Sequence, residues 1–278
     1  GGAEEDGNGW TSFDAPGDPT GNAPVSSSTS AHPASSNASA DTAANRPTYV
    51  RLASKQLVGV YITVWTTVAV ASHTRDVRVN TVSTGINLGI IGFNLGNKGG
   101  AAVWMKVYST PVVFICSHLS AGTKEGDELK RSEDYGEIVS KLSFPAPPTA
   151  SSDGGVQKAA TVADAFAAVW IGDLNYRLNL PDDVVRASIA SGDHARLISG
   201  DQLIIEQAAG RAFVGWTEAP VTFKPTYKYR PGTNQYSGAA DLDAEDIAGG
   251  PPVSMKEEKK KRTPAWCDRI LWRGRDIR

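Results

Sequence analysis

Three short stretches place polar side chains where apolar runs stop. In "AVWIGDLNYRL", Ala168 to Leu178, an apolar run gives way to Gly172, Asp173, Asn175 and Arg177. Gly172 lets the backbone turn and be approached closely, and Asp173 and Asn175, two apart, share one direction if the extended chain continues. A carboxylate and a carboxamide would then converge on one ligand. The plainer alternative is a turn in which both side chains satisfy local backbone groups. His118 closes a second apolar run, "VFICSHLSAG", either as a titratable donor or as a hydrogen-bonded structural residue. "NLGNKGG" sets Lys98 among glycines, where backbone N–H groups and an ammonium can meet an anion. Further on, "PTYKY" and "KKKRTPAWCDRI" add Lys228, Lys260, Lys261 and Arg262 beside aromatic and proline-fixed backbone. Such a basic run is either a solvated loop edge or a grip for a multiply phosphorylated ligand.

Elements must hold these residues together, and the composition allows it. The chain has 278 residues, 40% hydrophobic and 21% charged, enough to bury a substantial core. Its formal charge of -2 excludes a globally basic nucleic-acid binder, so anion recognition must come from local Lys and Arg clusters. Cys116 and Cys267 lie in apolar surroundings without metal-ligand spacing, which predicts reduced thiols in a cytoplasmic protein. The apolar run Leu57 to Ala71 is rich in Val, Thr and Ile and shorter than the roughly 20 residues of a spanning helix; it predicts a strand. The acidic start "GGAEEDGNGW" does not resemble a signal peptide.

Residues 1–46 carry too few large apolar side chains to offset the entropy of ordering them, so this segment is expected to be disordered and 47–278 to fold. "AAVWMKVYSTPVVFICSHLS" reads as a hairpin around Ser109-Thr110-Pro111. "GDELKRSEDYGEIVSKLSF" predicts a helix with Leu129, Tyr135, Ile138, Val139 and Leu142 on one face. Helices are also expected around 181–191 and 201–209, with flexible inserts at about 145–162 and 231–258. The fold class is α/β: two packed sheets with helices outside, a doubly wound sheet being the alternative that pattern leaves open.

Taken in order, "GNKGG", "SHLSAG", "EGDELKRSEDYGEI", "WIGDLNYRL", "FKPTYKY" and "RTPAWCDRILWRG" resemble the inositol polyphosphate 5-phosphatase family, within the endonuclease/exonuclease/phosphatase fold. The resemblance runs from about Val50 to Arg275, outside the two inserts. It implies Mg2+-dependent hydrolysis of the 5-phosphate of phosphatidylinositol phosphates or inositol polyphosphates on a two-sheet sandwich. It assigns His118, Asp173 and Asn175 to catalysis: Asp173 orients or deprotonates the attacking water, Asn175 is its partner at the phosphate, and His118 donates to a phosphoryl oxygen. Tyr227, Lys228, Lys260 and Arg262 match positions that grip the neighbouring ring phosphate. Lys98 is expected at another phosphate or at membrane lipid. Asp268 and Arg269 are expected to support the catalytic strand ends, and Trp266 to pack. The partners implied are phosphoinositide head groups or soluble inositol polyphosphates, with peripheral membrane contact and no nucleic acid.

The family pattern also has an upstream strand with an Asn, a "QE" segment whose Glu binds the metal, and a closing "SDH" segment; this sequence shows none of them. The expectation is therefore a partial domain, incomplete at both ends, that lacks the principal metal ligand. Alone, it would be inactive or nearly so, or act as a phosphoinositide-binding module. Asp193 and His194 could replace the missing pair only by moving across the domain. Ser132 stands where the family usually has Asn, and Arg230 where it often has Asp.

Overall fold

The computed structural model describes residues 48–85, 97–146, 158–238 and 262–274. The low-complexity start, most of both expected inserts, Lys260 and Lys261 lie outside the described residues.

The apolar run from Leu57 is not one strand. β1 (Tyr49–Leu57) and β2 (Val60–Thr67) pair antiparallel across a turn at Gly59, whose φ of 74° is left-handed. Thr67 then accepts a hydrogen bond from Val70 N at 3.3 Å and caps a single helical turn, α1 (Val68–Ala71). Turn and cap together divide the run that composition presented as continuous.

β3 (Thr74–Ser83), β4 (Gly99–Val107) and β5 (Thr110–His118) follow, the last two forming the expected hairpin. Next come α2 (Asp127–Lys141) and a short pair, β6 (Ser143–Phe144) with β7 (Ala160–Thr161). β8 (Ala167–Asp173), α3 (Asp182–Ser191), α4 (His194–Ile198), α5 (Gln202–Ala208) and β9 (Asp268–Gly274) complete the described elements. Five strands make one mixed sheet in the order β3-β4-β5-β8-β9, with β5 and β8 parallel and the other neighbours antiparallel.

β4 is buried along Gly99–Met105 because both faces of the sheet are covered. Ala101, Val103 and Met105 pack on Val60 and Ile62 of the β1–β2 hairpin. On the other face Ala102, Trp104, Val113, Ile115 and Trp170 join Ile138 of α2 with Phe213 and Trp216. The fold is thus the expected α/β sandwich, its second sheet among the described residues being a two-stranded hairpin. Trp170 anchors the helical face: it meets Phe213 and Trp216 edge-on at 5.2 and 5.6 Å, and its indole N–H donates to Ser117 Oγ at 2.8 Å.

One expectation about α2 needs correction. Leu129 does not face the core; it is 43% exposed. The buried stripe is instead Asp127, Arg131, Asp134 and Ile138, at i, i+4, i+7 and i+11. Tyr135 and Val139 pack beside it and Leu142 is buried at the helix end. α3 begins after Pro181, as its fixed φ favours, while Asp193 and Asp201 cap α4 and α5. His194 lies in α4 with its ring 6.4 Å from that of Trp266.

Candidate active site

Sheet register builds the site. Gly99 pairs with His118, His118 with Asp173, and Asp173 with Asp268, a single row across β4, β5, β8 and β9. β5 and β8 are parallel, so both deliver their last residues to the same edge. Leu119 N donates to Asp173 O at 3.0 Å and Leu174 N to Cys267 O at 2.7 Å, which holds the row together beyond the strand ends. At Gly172 φ is 133°, and a Cβ there would lie 2.1 Å from Ser117 O; a larger residue would force β8 away from β5.

Lys98 immediately precedes β4, and its ammonium contacts His118 Nε2 directly. His118 Nε2 is also 3.5 Å from Asp173 Oδ2. Burial, and after it the Lys98 charge, pull the His118 imidazole down to about 4. The ring is therefore neutral near pH 7, and an unprotonated Nε2 can accept from Lys98. Burial likewise brings Lys98 down to about 8 against the pull of Asp173 and Asp134. Asp173 is pushed up to about 6, first by burial and then by the like charge of Asp268, with Lys98 and the Asn175 N–H opposing.

Asn175 departs from the expected geometry. The strand stops at Asp173, and Asn175 takes a φ of 56° in a turn where its N–H donates to Asp173 Oδ1 at 3.0 Å. The two side chains are thus brought together by an Asp-stabilised turn, and not by continued strand alternation. Asn175 is 4% exposed; its Nδ2 donates to Leu119 O at 3.1 Å, and its Oδ1 accepts from Arg177 Nη2 at 2.5 Å. The Arg177 guanidinium also lies 4.4 Å from the centre of the Tyr227 ring.

Tyr227 pairs with Ala265 through two backbone hydrogen bonds of 3.1 Å, so "TYKY" and "PAWC" lie side by side. Lys228 follows, half-buried. Arg262 is partly exposed, and its carbonyl accepts from Arg186 Nη2 at 3.2 Å. Lys260, expected to grip the same phosphate, is outside the described residues. Trp266 is buried and donates to Phe223 O at 3.0 Å, a packing position.

Asp268 and Arg269 differ in kind. The exposed Asp268 faces Asp173 and raises its proton affinity. Arg269 is buried and clamps two carboxylates: Nη1 donates to Asp201 at 2.9 and 3.0 Å, while Nε and Nη2 donate to Glu218 at 2.7 and 2.5 Å. It supports the strand end by tying β9 to the cap of α5.

Sequence reasoning did not single out the polar stripe of α2 as part of this machinery. Asp134 Oδ2 accepts from Ser120 N at 2.7 Å, and Arg131 Nη1 donates to the carbonyls of Ser120 and Gly122 at 3.3 Å. These bonds fix the loop that leaves His118. The i, i+4, i+7 spacing of Asp127, Arg131 and Asp134 was the available signal. Ser132 bonds Glu206 Oε2 at 2.9 Å and approaches the Tyr176 hydroxyl at 3.3 Å.

Comparisons with known proteins agree on one family. Residues 35–278 match the model of Endonuclease/Exonuclease/phosphatase family 2. The chain is 39% identical over 237 residues to Type I inositol polyphosphate 5-phosphatase 4 of Arabidopsis thaliana, covering 85% of this chain and 39% of that protein. It is 36% identical over 233 residues to Type IV inositol polyphosphate 5-phosphatase 6 of the same plant, covering 84% and 34%. It therefore spans little more than a third of the length of these relatives. The inositol polyphosphate 5-phosphatase domain of SPsynaptojanin, solved with inositol (1,4)-bisphosphate and calcium, superposes with a TM-score of 0.64 at 32% identity over 84% of this chain and 56% of that one. A Cimex nitrophorin shares the fold at 21% identity and a TM-score of 0.54 over 81% of this chain and 63% of that one. Although calcium accompanies the synaptojanin domain, no three His, Cys, Asp or Glu side chains among the described residues here form a group that could hold a metal ion. The row contributes two carboxylates, Asp173 and Asp268; by themselves the described residues do not fit such an ion.

Proposed function

The chain belongs to Endonuclease/Exonuclease/phosphatase family 2, and from that membership we propose that it acts in an inositol polyphosphate 5-phosphatase catalytic domain. The observation that carries the reading is the row in which Lys98, His118 and Asp173 meet at one sheet edge.

In this reading a phosphate dianion enters beside Lys98 and takes its ammonium as a counter-ion. With Lys98 drawn to the phosphate, the neutral imidazole of His118 in its Nε2–H tautomer is a donor to a phosphoryl oxygen, where charge develops in the transition state. Asn175 has one amide N–H beyond the bond to Leu119 to offer the same phosphate. Asp173, ionised above about pH 6, orients the attacking water and takes its proton. Tyr227, Lys228, Arg262 and Lys260 grip the adjacent ring phosphate, which fixes the ring relative to the water. Mg2+ is the cation this activity calls for in the intact polypeptide. The substrates proposed are inositol polyphosphates and phosphoinositide head groups, met in the cytoplasm or peripherally at membranes, where the free Cys116 and Cys267 stay reduced.

A second reading is a module that holds polyphosphoinositides without hydrolysing them. It is favoured by the engagement of Asn175 with both Arg177 and Leu119. Phosphate release from a bisphosphorylated inositol phosphate, measured alongside plasmid nicking, tests the assignment. Release that is lost in Asp173→Asn supports the phosphatase; tight binding without release supports the module; DNA cleavage without phosphate release overturns both.

A further inference from the structure

Arg177 stands between two groups that the proposed function uses for different phosphates. On one side its Nε donates to Asn175 O at 3.0 Å and its Nη2 to Asn175 Oδ1 at 2.5 Å. The first bond ties the guanidinium to the Asn175 backbone, and the second fixes which way the Asn175 carboxamide points, so that Nδ2 reaches Leu119 O beside His118. On the other side the guanidinium covers the Tyr227 ring at 4.4 Å, and Lys228 is the next residue. Arg177 Nε and Nη2 thus face the turn that carries Asp173, while its flat face meets the segment that carries Lys228. A planar, permanently charged fork can do both at once; an ammonium cannot.

We propose that Arg177 is a positioning residue that sets the spacing between the reacting-phosphate site at Asp173 and Asn175 and the neighbouring-phosphate site at Tyr227 and Lys228. It is thereby a determinant of preference for inositol ligands bearing two adjacent phosphates over those bearing one. The inference rests on the phosphatase reading for the identity of the two phosphates, and on the two hydrogen bonds and the ring contact for the linkage. A ligand with one phosphate uses only the first site and does not sense the spacing. A ligand with two must satisfy both sites together, and gains from their being held in register before it arrives.

The test compares the intact polypeptide with Arg177→Met, Arg177→Lys and Lys228→Met variants on inositol 4,5-bisphosphate and inositol 5-monophosphate. The quantity read is the ratio of kcat/KM for the two substrates. Arg177→Met is expected to lower that ratio about tenfold, the size of one lost charge-assisted hydrogen bond. Lys228→Met is expected to lower it similarly, and the double variant to lose less than the product of the two, because the effects pass through one linkage. Arg177→Lys, which keeps a charge over the ring but not the fork, is expected to fall between wild type and Arg177→Met. A mainly structural residue would depress both substrates alike, so an unchanged ratio in folded Arg177→Met overturns the proposal. If Arg177→Met fails to fold, the ratio in Arg177→Lys decides by the same criterion. Should wild type release no phosphate, the phosphatase reading fails separately, and calorimetric binding of the same two ligands takes over. Selective weakening of the bisphosphate then supports the linkage, equal weakening overturns it, and absence of binding to both overturns both ideas.

Discussion

Replacing Lys98 with methionine isolates the electrostatics of the row formed with His118 and Asp173. Burial and Asp268 push Asp173 up to about 6, while burial brings Lys98 down to about 8. If Asp173 must be ionised to accept the water's proton, turnover falls about tenfold for each pH unit below about 6. If the Lys98 ammonium balances the phosphate, turnover falls again above about 8. At pH 7 each group is then roughly 90% in its working form and the product is about 80%, so the profile peaks there, as paired acid and base pKa values dictate. In Lys98→Met the alkaline limb should disappear. Its acid limb should move to higher pH, because the charge that lowered Asp173 has gone. At the optimum kcat/KM should fall by roughly 10- to 100-fold for the lost charge-assisted contact. His118 also loses the cation that lowered it, so its pKa should rise, and 15N NMR of the imidazole reads that rise without any turnover. The substrate's own second phosphate ionisation, near about 6, also contributes an acid limb, but it stays in place when Lys98 changes. Phosphate-release profiles of wild type and variant across pH 4.5–9.5 would refute the reasoning if the alkaline limb survived and the acid limb did not move.

Other consequences are equally direct. Asp173→Asn should cost about 100-fold or more in turnover while the thermal midpoint stays close to wild type, since its carboxylate is at the sheet edge and not in the core. Gly172→Ala should destabilise by about 1–3 kcal/mol in urea denaturation, because a Cβ at φ 133° meets Ser117 O at 2.1 Å. Arg269→Met should cost about 3–5 kcal/mol by leaving Asp201 buried without its partner, and adding Asp201→Asn should restore part of that loss while keeping the α5 cap. Equal stability of the single and double variants would contradict the clamp.

The readable part of this fold was the part governed by short-range pattern. "STP" between two apolar runs predicts the β4–β5 hairpin, and Pro181 predicts the start of α3. Apolar runs that stop at His118 and at Gly172-Asp173 mark strand ends before any pairing is known. What pattern could not give was set by distant partners. Leu129 fits an apolar helical face, yet α2 turns Arg131 and Asp134 inward, because the loop after His118 leaves backbone groups that only a buried polar stripe satisfies. The ring that Arg177 covers belongs to the distant "TYKY" segment, so no spacing along the chain signals the contact. α4, five residues long, is too short for periodicity to reveal.

The arrangement of the row follows from mixing strand directions. A chain with only antiparallel neighbours would put the ends of β5 and β8 at opposite edges, and His118 and Asp173 could not meet. The parallel β5–β8 pair, linked by the crossover through α2, brings both ends to one edge. Antiparallel β4 and β9 begin at that same edge, so Lys98 and Asp268 arrive just as their strands start. Two strand ends and two strand beginnings therefore supply imidazole, carboxylate, ammonium and a second carboxylate within one row. Burial of that row against the sandwich makes each charge dependent on its neighbour, which is why Asp173 rises and Lys98 and His118 fall together. A dianionic ligand such as phosphate suits such a row: it offsets the desolvation of the Lys98 ammonium and favours its charged form.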